Sequence, residues 1–129
     1  MKLRLFFAAA TAAALAFPAS SLAAGRNVVV TVVLTDSGTK VGVYLNTQVA
    51  DITSMAPLAG PLLKKDDLHF IVLNRGNRSH DFEVFGKSTG SIKPGGNKTF
   101  LTHAPGRGKF AYKTPSDQGK AFSGTFVVR

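Results

Sequence analysis

The stretch that decides the fold is Leu68-His69-Phe70-Ile71-Val72-Leu73 followed by Asn74-Arg75-Gly76-Asn77, in one-letter code LHFIVLNRGN. The apolar run is rich in aromatic and β-branched residues and predicts a buried strand. The Asn-Arg-Gly-Asn sequence directly after it predicts a tight turn. This segment therefore predicts a protein built from β-sheet.

Further short strands are predicted on both sides of this stretch, and turn residues separate them. Upstream, a β-branched run ends at Asp36-Ser37-Gly38. Downstream, residues 80–85 alternate, with Phe82 and Val84 on one face of the predicted strand and Asp81 and Glu83 on the other. The other predicted strands are residues 28–34, 41–45, 49–52, 98–103, 109–113 and 125–128. Short strands at regular spacing are typical of an all-β sandwich or barrel.

The first 24 residues have the pattern of a cleaved secretory signal peptide. Lys2 and Arg4 give a basic start, residues 5–17 are apolar and uncharged, and Leu22-Ala23-Ala24 offers small residues for cleavage. The apolar run is shorter than the roughly 20 residues that a membrane span needs. The pattern predicts export to the periplasm or the outside of the cell, with residues 25–129 as one folded domain without a membrane span.

The composition excludes one class of chemistry and favours one class of partner. The chain has no cysteine, so thiolate catalysis, thiol redox exchange and thiolate-bound metals are excluded. Its formal charge is +9, and removing the two leader cations gives +7 for residues 25–129. Such a charge favours a protein or another partner with an acidic surface. Nucleic acid is not expected, because no stripe of interleaved aromatic and basic residues is present.

Four segments in this order resemble the cupredoxin family. The family pattern is a strand ending in N-x-G, then H-x-F, a P-G-x turn, a G-x-[FY]-x-Y strand and a closing G-containing strand. The matching segments are residues 74–82, 93–96, 108–115 and 121–128. The resemblance covers residues 68–128 and implies a Greek-key β-sandwich of cupredoxin type.

The departures from that family concern its copper ligands. The resemblance implies a type 1 copper held by two histidines, a cysteine and usually a methionine, the last three from a C-x-x-P-x-H-x₄-M loop. Anchored on Pro115, the cysteine position holds Tyr112, the second histidine position Asp117 and the methionine position Phe122. Of the four aligned ligand positions, only that of His80 holds the residue type that the family uses. Since a blue copper site depends on a copper–thiolate bond, blue-copper electron transfer is not expected of this chain.

Two interpretations of His80 remain open at this point. With Asp117 and Tyr112 it would offer nitrogen and oxygen donors that suit Cu(II), zinc or iron. Alternatively, His80 is structural, and Tyr112 and Phe122 fill the volume of the family's copper. No ligand role is assigned to His69 or His103, because no two histidines lie at a close spacing.

The leading expectation is an exported cupredoxin-like binding or accessory module with no cofactor. A basic loop end around His80, residues 113–122 and Arg107 would engage a protein or anionic partner. The alternatives are a periplasmic binder of copper or another metal through His80 with Asp117 and Tyr112, and an electrostatic binder of anionic envelope components. Catalysis is not expected, since Ser79-His80-Asp81 has the residue types of a triad but neighbours in one extended segment point to opposite faces.

Overall fold

The computed structural model describes residues 25–46 and 55–129, and this part of the chain is almost entirely strands and turns. A single 3₁₀ turn, Lys120–Phe122, precedes the last strand. In chain order the strands are β1 Asn27–Thr35, β2 Gly38–Asn46, β3 Met55–Pro57, β4 Asp67–Asn74, β5 Glu83–Val84, β6 Lys87–Ser88, β7 Asn97–Thr102, β8 Gly108–Lys113 and β9 Ser123–Val128. No helix in these two ranges is long and apolar enough to cross a membrane.

The strands form two sheets that pack face to face. The first has the order β3-β2-β1-β4-β7 and the second the order β6-β5-β8-β9. The central strand β1 pairs antiparallel with β2 and parallel with β4. Because parallel neighbours need a long connection, the pairing of β1 with β4 excludes a simple meander in the first sheet. The all-β expectation is confirmed.

The core lies between the sheets and is made by the alternate residues that the period of two predicts. Phe70 of β4 is fully buried and lies at its centre. Its ring stacks on Phe100 at a centroid distance of 4.9 Å and meets Phe82 and Phe126 at 6.1 Å each. The other buried core side chains include Val28, Val30, Val32, Leu34, Leu68, Val72, Val84 and Val128. Burial stabilises each such side chain by about 1.5–3 kcal/mol, so this layer holds the sheets together.

One predicted strand is much shorter than expected. Residues 80–85 were predicted as one strand, but only Glu83–Val84 belongs to a ladder, while His80 makes an isolated bridge to Ile92. The reason is a tight hairpin: Phe85 and Gly86 have φ angles of 51° and 76°, and the chain returns as β6. Two left-handed residues in a row are typical of a type I′ turn. The leader and the strand predicted at 49–52 lie outside the described residues.

The sandwich has two ends, which carry different loops. The His80 end holds the β1–β2 turn, the loops after β4 and β8, and the turn before β7. The Asp67 end holds the starts of β1 and β4, the loop after β7 and the end of β9. Arg107 was expected beside His80. The structure places it at the Asp67 end, because β8 begins directly after it and runs toward the His80 end.

Candidate functional site

The loop that carries His80 is fixed by Asn74, the last residue of β4. The buried Asn74 side chain accepts a hydrogen bond from the Gly76 N–H at 2.8 Å. Its amide nitrogen donates to the carbonyls of Arg78 at 2.9 Å and Ile92 at 2.7 Å. An amide is suited to this position, because it combines an acceptor with two donors. The Asn-Arg-Gly-Asn turn is thereby fixed against the turn before β7.

His80 is the largest polar side chain among the fully buried residues. Its backbone N–H donates to the Ile92 carbonyl at 3.1 Å and its carbonyl accepts from the Ile92 N–H at 2.8 Å. These two hydrogen bonds set the direction of the side chain, whose exposed fraction is 0%. The imidazole therefore lies inside the His80 end rather than on its surface.

Both ring nitrogens of His80 face a carboxylate. Nδ1 lies 2.6 Å from Asp117 Oδ2, and Nε2 lies 2.8 Å from Asp36 Oδ1. An ionised carboxylate can only accept a hydrogen bond. Two such hydrogen bonds at the same time would require a hydrogen on each ring nitrogen.

Asp36 belongs to the turn between β1 and β2 and fastens that turn to the His80 loop. Besides the ring of His80, its carboxylate accepts from the N–H of Asn77 at 2.8 Å and of Arg78 at 3.3 Å. The hydrogen bond from His80, followed by that from the Asn77 N–H, holds the pKa of Asp36 below its usual value. Asp36 is therefore ionised over the neutral range.

Asp117 comes from the loop after β8 and completes the arrangement. Its second oxygen accepts from Arg78 Nη2 at 2.8 Å. Burial alone would raise the pKa of Asp117, but the hydrogen bonds from His80 and Arg78 outweigh burial and hold the pKa below its usual value. The four residues Asp36, Arg78, His80 and Asp117 are called the His80 network below. It connects three loops that are distant in sequence.

Gly76 leaves the space in which two members of the His80 network meet. A Cβ atom at Gly76 would clash with Asp36 Oδ1 and would lie 2.8 Å from His80 Nε2. The φ angle of Gly76 is outside the left-handed region, so the need for glycine here is a need for space. The Asn-x-Gly sequence thus serves the side-chain network as well as the turn.

The structure brings together only some of the residues that the sequence grouped as a candidate metal site. His80 and Asp117 are in direct contact, with Nδ1 2.6 Å from Oδ2. Tyr112 lies on the core side of β8, with its ring 5.8 Å from Phe82 and 5.0 Å from Phe126 and its hydroxyl close to Gly124. No hydrogen bond within the described part of the chain joins Tyr112 to His80 or Asp117. Phe122 is half-buried, and its carbonyl accepts from the Thr114 N–H at 3.0 Å.

Asp36 is the site residue that sequence reasoning missed. It lies 44 residues before His80 and is part of an ordinary Asp-Ser-Gly turn signal. The parallel pairing of β1 with β4, in which Leu34 lies beside Asn74, brings the ends of these strands together. Only a prediction of that register would have placed Asp36 beside His80.

The His80 network limits how a metal ion could bind. The two nitrogens of an imidazole point to opposite sides of the ring, so the two carboxylates cannot both join His80 on one ion. An ion at either nitrogen would have to displace a hydrogen and one carboxylate contact. Within residues 25–46 and 55–129, no group of three or more histidine, aspartate or glutamate side chains is arranged to hold a metal.

Comparison with known proteins gives matches in structure but not in sequence. No protein-family model matches the chain, and no curated protein sequence does. Reduced rusticyanin superposes with a TM-score of 0.53 and 18% identity, over 81% of each chain. A copper nitrite reductase from Nitrosomonas europaea superposes with a TM-score of 0.50 and 19% identity, over 79% of this chain and 41% of that one. The chain spans about two fifths of that reductase chain.

These likenesses agree with the two-sheet architecture of this chain. At such identities they establish the fold and leave activity open. The chain has a cupredoxin-like fold.

Proposed function

We propose that this protein is an exported binding or accessory module in which the His80 network takes the structural place of a type 1 copper site. One observation carries the proposal: both ring nitrogens of a fully buried histidine are already hydrogen-bonded to carboxylates, at 2.6 and 2.8 Å. A ligand histidine needs one nitrogen with a free lone pair. In this chain the imidazole instead connects the turn of Asp36 with the loop of Asp117, through one hydrogen bond at each ring nitrogen.

The charge balance of the His80 network supports a structural role. It pairs two carboxylates with one guanidinium and with both ring nitrogens of His80, so the buried ring has a hydrogen-bond partner on each side. Removing one partner of such a pair leaves an uncompensated charge, which costs far more than the pair contributes. The network therefore holds the three loops of the His80 end in one arrangement without a metal ion.

The same arrangement favours an anionic partner for the His80 end. Its carboxylates are used internally: Asp36 and Asp117 bind His80, and Asp81 accepts from the Ser116 N–H at 2.9 Å. The cations Arg75, Lys93 and Lys120 are exposed, and within the described residues no ion pair engages them. The loops of the His80 end thus carry unpaired positive charge on their surface, while the His80 network holds them in place. Such a surface is complementary to an acidic protein surface.

Metal titration tests the first part of this proposal. Protein purified from cells that express the full chain, with its N-terminus established by mass spectrometry, is titrated by calorimetry with Cu(II), Cu(I) and Zn(II). A His80→Asn variant is the control, because it keeps polarity and removes the imidazole. We expect the variant to bind each metal as the wild type does. Micromolar binding that the variant loses would replace this proposal by the second one.

The second candidate function is metal handling through His80 and Asp117. It rests on the 2.6 Å approach of Nδ1 to Asp117 Oδ2, which places one nitrogen and one oxygen donor side by side. In that case Cu(II), which such donors favour over Cu(I), would release the Nδ1 hydrogen on binding. Loss of the Cu(II) heat in the His80→Asn variant is the result expected from this candidate.

The anionic partner is tested by neutralising the cations of one end at a time. The triple variant R75Q/K93Q/K120Q is compared with the matched variant K64Q/K65Q/R107Q, which removes equal charge at the Asp67 end. We expect the first variant to leave immobilised polyglutamate at a lower salt concentration than the second. Equal elution of the two would mean that only net charge matters, and the proposed surface would be wrong.

A further inference from the structure

The Asp67 end carries a second cluster of polar side chains on the outer face of the first sheet. Leu68 and Phe70 of β4 point into the core, so Asp67 and His69 point to the opposite face. Most of an outer sheet face is expected to be solvated, yet Asp67 is only 4% exposed and Asn27 of β1 likewise 4%. Buried polar groups at such positions require an explanation.

These side chains form a row across three neighbouring strands. Asn27 of β1 is the register partner of Asp67 in the parallel β1–β4 ladder. On the other side, β7 pairs Leu68 with Thr102, which brings the next residue, His103, opposite Asp67. His103 Nε2 lies 2.5 Å from Asp67 Oδ1. The row is therefore Asn27, Asp67, His103, with the carboxylate in the middle.

Two oxygen acceptors in this row have no hydrogen-bond partner in the described part of the chain. They are Oδ1 of Asn27 and Oδ2 of Asp67. Leaving a buried acceptor unsatisfied is unfavourable, and here two such acceptors lie on adjacent strands at one register position. An acceptor pair that includes a carboxylate is chemically suited to a cation.

We propose that Asn27, Asp67 and His103 form a binding site for a divalent transition-metal ion of the Cu(II) and Zn(II) class. The site is separate from the His80 network and does not depend on the function proposed for it. It lies at the opposite end of the sandwich from the position of copper that the family resemblance implies.

The donor chemistry defines the ion. One carboxylate oxygen, one amide oxygen and one imidazole nitrogen suit Cu(II) and Zn(II), and without thiolate or thioether they disfavour Cu(I). Since no three histidine or acidic side chains of the described residues are gathered closely enough for a metal, the amide of Asn27 supplies the third donor.

The ion has a route into this site and a proton to displace. The His103 side chain is 56% exposed while that of Asp67 is 6% exposed, so a metal meets the imidazole first and the carboxylate second. When His103 Nε2 exchanges its contact with Asp67 for a metal bond, the hydrogen on that nitrogen leaves to solvent. Binding should therefore weaken as the pH falls.

The test is calorimetric titration of the purified protein with CuCl₂ and, separately, ZnCl₂. The variants are His103→Ala, Asp67→Asn, which keeps the size of the side chain, and His80→Asn as the matched control at the opposite end. We expect about one equivalent of ion, with Cu(II) bound more tightly than Zn(II). His103→Ala and Asp67→Asn should each weaken binding by about tenfold or more, while His80→Asn leaves it unchanged.

Electron paramagnetic resonance of the Cu(II) form gives a readout that does not depend on affinity. We expect nitrogen hyperfine splitting that loses one nitrogen in His103→Ala, while circular dichroism shows that this variant stays folded. Absence of ion binding in the wild type would overturn this inference and leave the function proposed for the His80 network intact. Binding lost in His80→Asn and kept in His103→Ala would overturn both.

Discussion

Gly76 lies at the point where the turn after β4 meets the His80 network. A methyl group there would occupy the space now shared by Asp36 Oδ1 and His80 Nε2. We expect Gly76→Ala to destabilise the protein by about 1–3 kcal/mol, the usual cost of forcing extra atoms into a packed site. Urea unfolding measures this change in the free energy of unfolding.

Gly106 offers the matched control for that substitution. It also lies in a loop, its φ angle is outside the left-handed region, and a Cβ atom there would meet nothing within 4 Å. Gly106→Ala should be neutral or slightly stabilising, because it only restricts the unfolded chain. An equal loss in the free energy of unfolding at the two positions would contradict the interpretation that Gly76 is needed to leave space beside His80.

Asp117 and Asp36 give the His80 end a defined response to acid. Because folding lowers the pKa of both carboxyls, their contribution is fully present above the ordinary aspartate pKa of about 3.9. It is lost as the pH falls through the lower folded-state values. Asp117→Asn should therefore cost roughly 2 kcal/mol at pH 7 and progressively less below about pH 4.

The measurement is the free energy of unfolding of wild type and Asp117→Asn between pH 7 and pH 2. Ser123→Ala, an exposed change on β9, is the control and should follow the wild type over the whole range. A difference between Asp117→Asn and wild type that stays constant down to pH 2 would contradict the ionised role of Asp117.

Among the strands, β1 is held at its start by an ion pair that the sequence did not reveal. Arg26 binds the buried carboxylate of Asp66, just before β4, through Nε at 2.9 Å and Nη2 at 2.8 Å. Asp66 also accepts from the Leu63 N–H at 2.7 Å. The hydrogen bond with Asp66 raises the pKa of Arg26 despite partial burial. The starts of the two parallel strands are thus fixed to each other.

Replacing Arg26 should show how much this connection stabilises the fold. Arg26→Met leaves a carboxylate with 1% side-chain exposure without its cation, and we expect a loss of about 2–3 kcal/mol, reduced from the fully buried case by the partial exposure of the guanidinium. Arg26→Lys should recover only part of it, because a lysine cannot bind both oxygens in the same way. Thermal unfolding of both is compared with Arg75→Met, an exposed residue expected to change stability little. Full recovery by lysine would contradict the bidentate role.

For the molecule as a whole, the order of strands in the sheets predicts slow folding. The parallel β1–β4 pair and the bridge between Leu62 and Val128 join parts of the chain that are far apart in sequence. Such non-local pairing must form against chain entropy, and all-β domains of this kind fold in milliseconds to seconds. Stopped-flow refolding followed by tyrosine fluorescence should show this range, with Tyr112, which packs against the core, as the reporter. A microsecond relaxation would contradict it.

The whole molecule should also unfold in one step. The two sheets share a single aromatic layer around Phe70, which contacts Phe100 of the first sheet and Phe126 of the second. Loss of either sheet exposes that layer, so neither is expected to persist alone. Far-ultraviolet circular dichroism and tyrosine fluorescence should therefore report the same midpoint in urea, and two separate midpoints would show independent sheets.

Local pattern in the sequence was sufficient for much of the fold. The predicted strands at residues 28–34, 68–73 and 98–103 match β1, β4 and β7 closely, because alternation and turn residues depend on near neighbours. The hairpin from β5 to β6 was missed, since Phe85 rather than a glycine or asparagine takes a left-handed φ angle there. In that conformation the ring of Phe85 packs against the rings of Phe110 and Phe126, at centroid distances of 5.5 Å and 5.9 Å.

The sequence by itself determined the strand pattern and the absence of any thiolate ligand, and the family resemblance predicted that His80, Asp117 and Tyr112 lie at one end of the sandwich. Only the tertiary structure decided that Asp36 closes the other side of His80 and that Asn27, Asp67 and His103 form one row. Each of these contacts crosses between strands or loops distant in the chain. Their alignment is set by register, and register is fixed by the packing of the whole core rather than by any local run of residues.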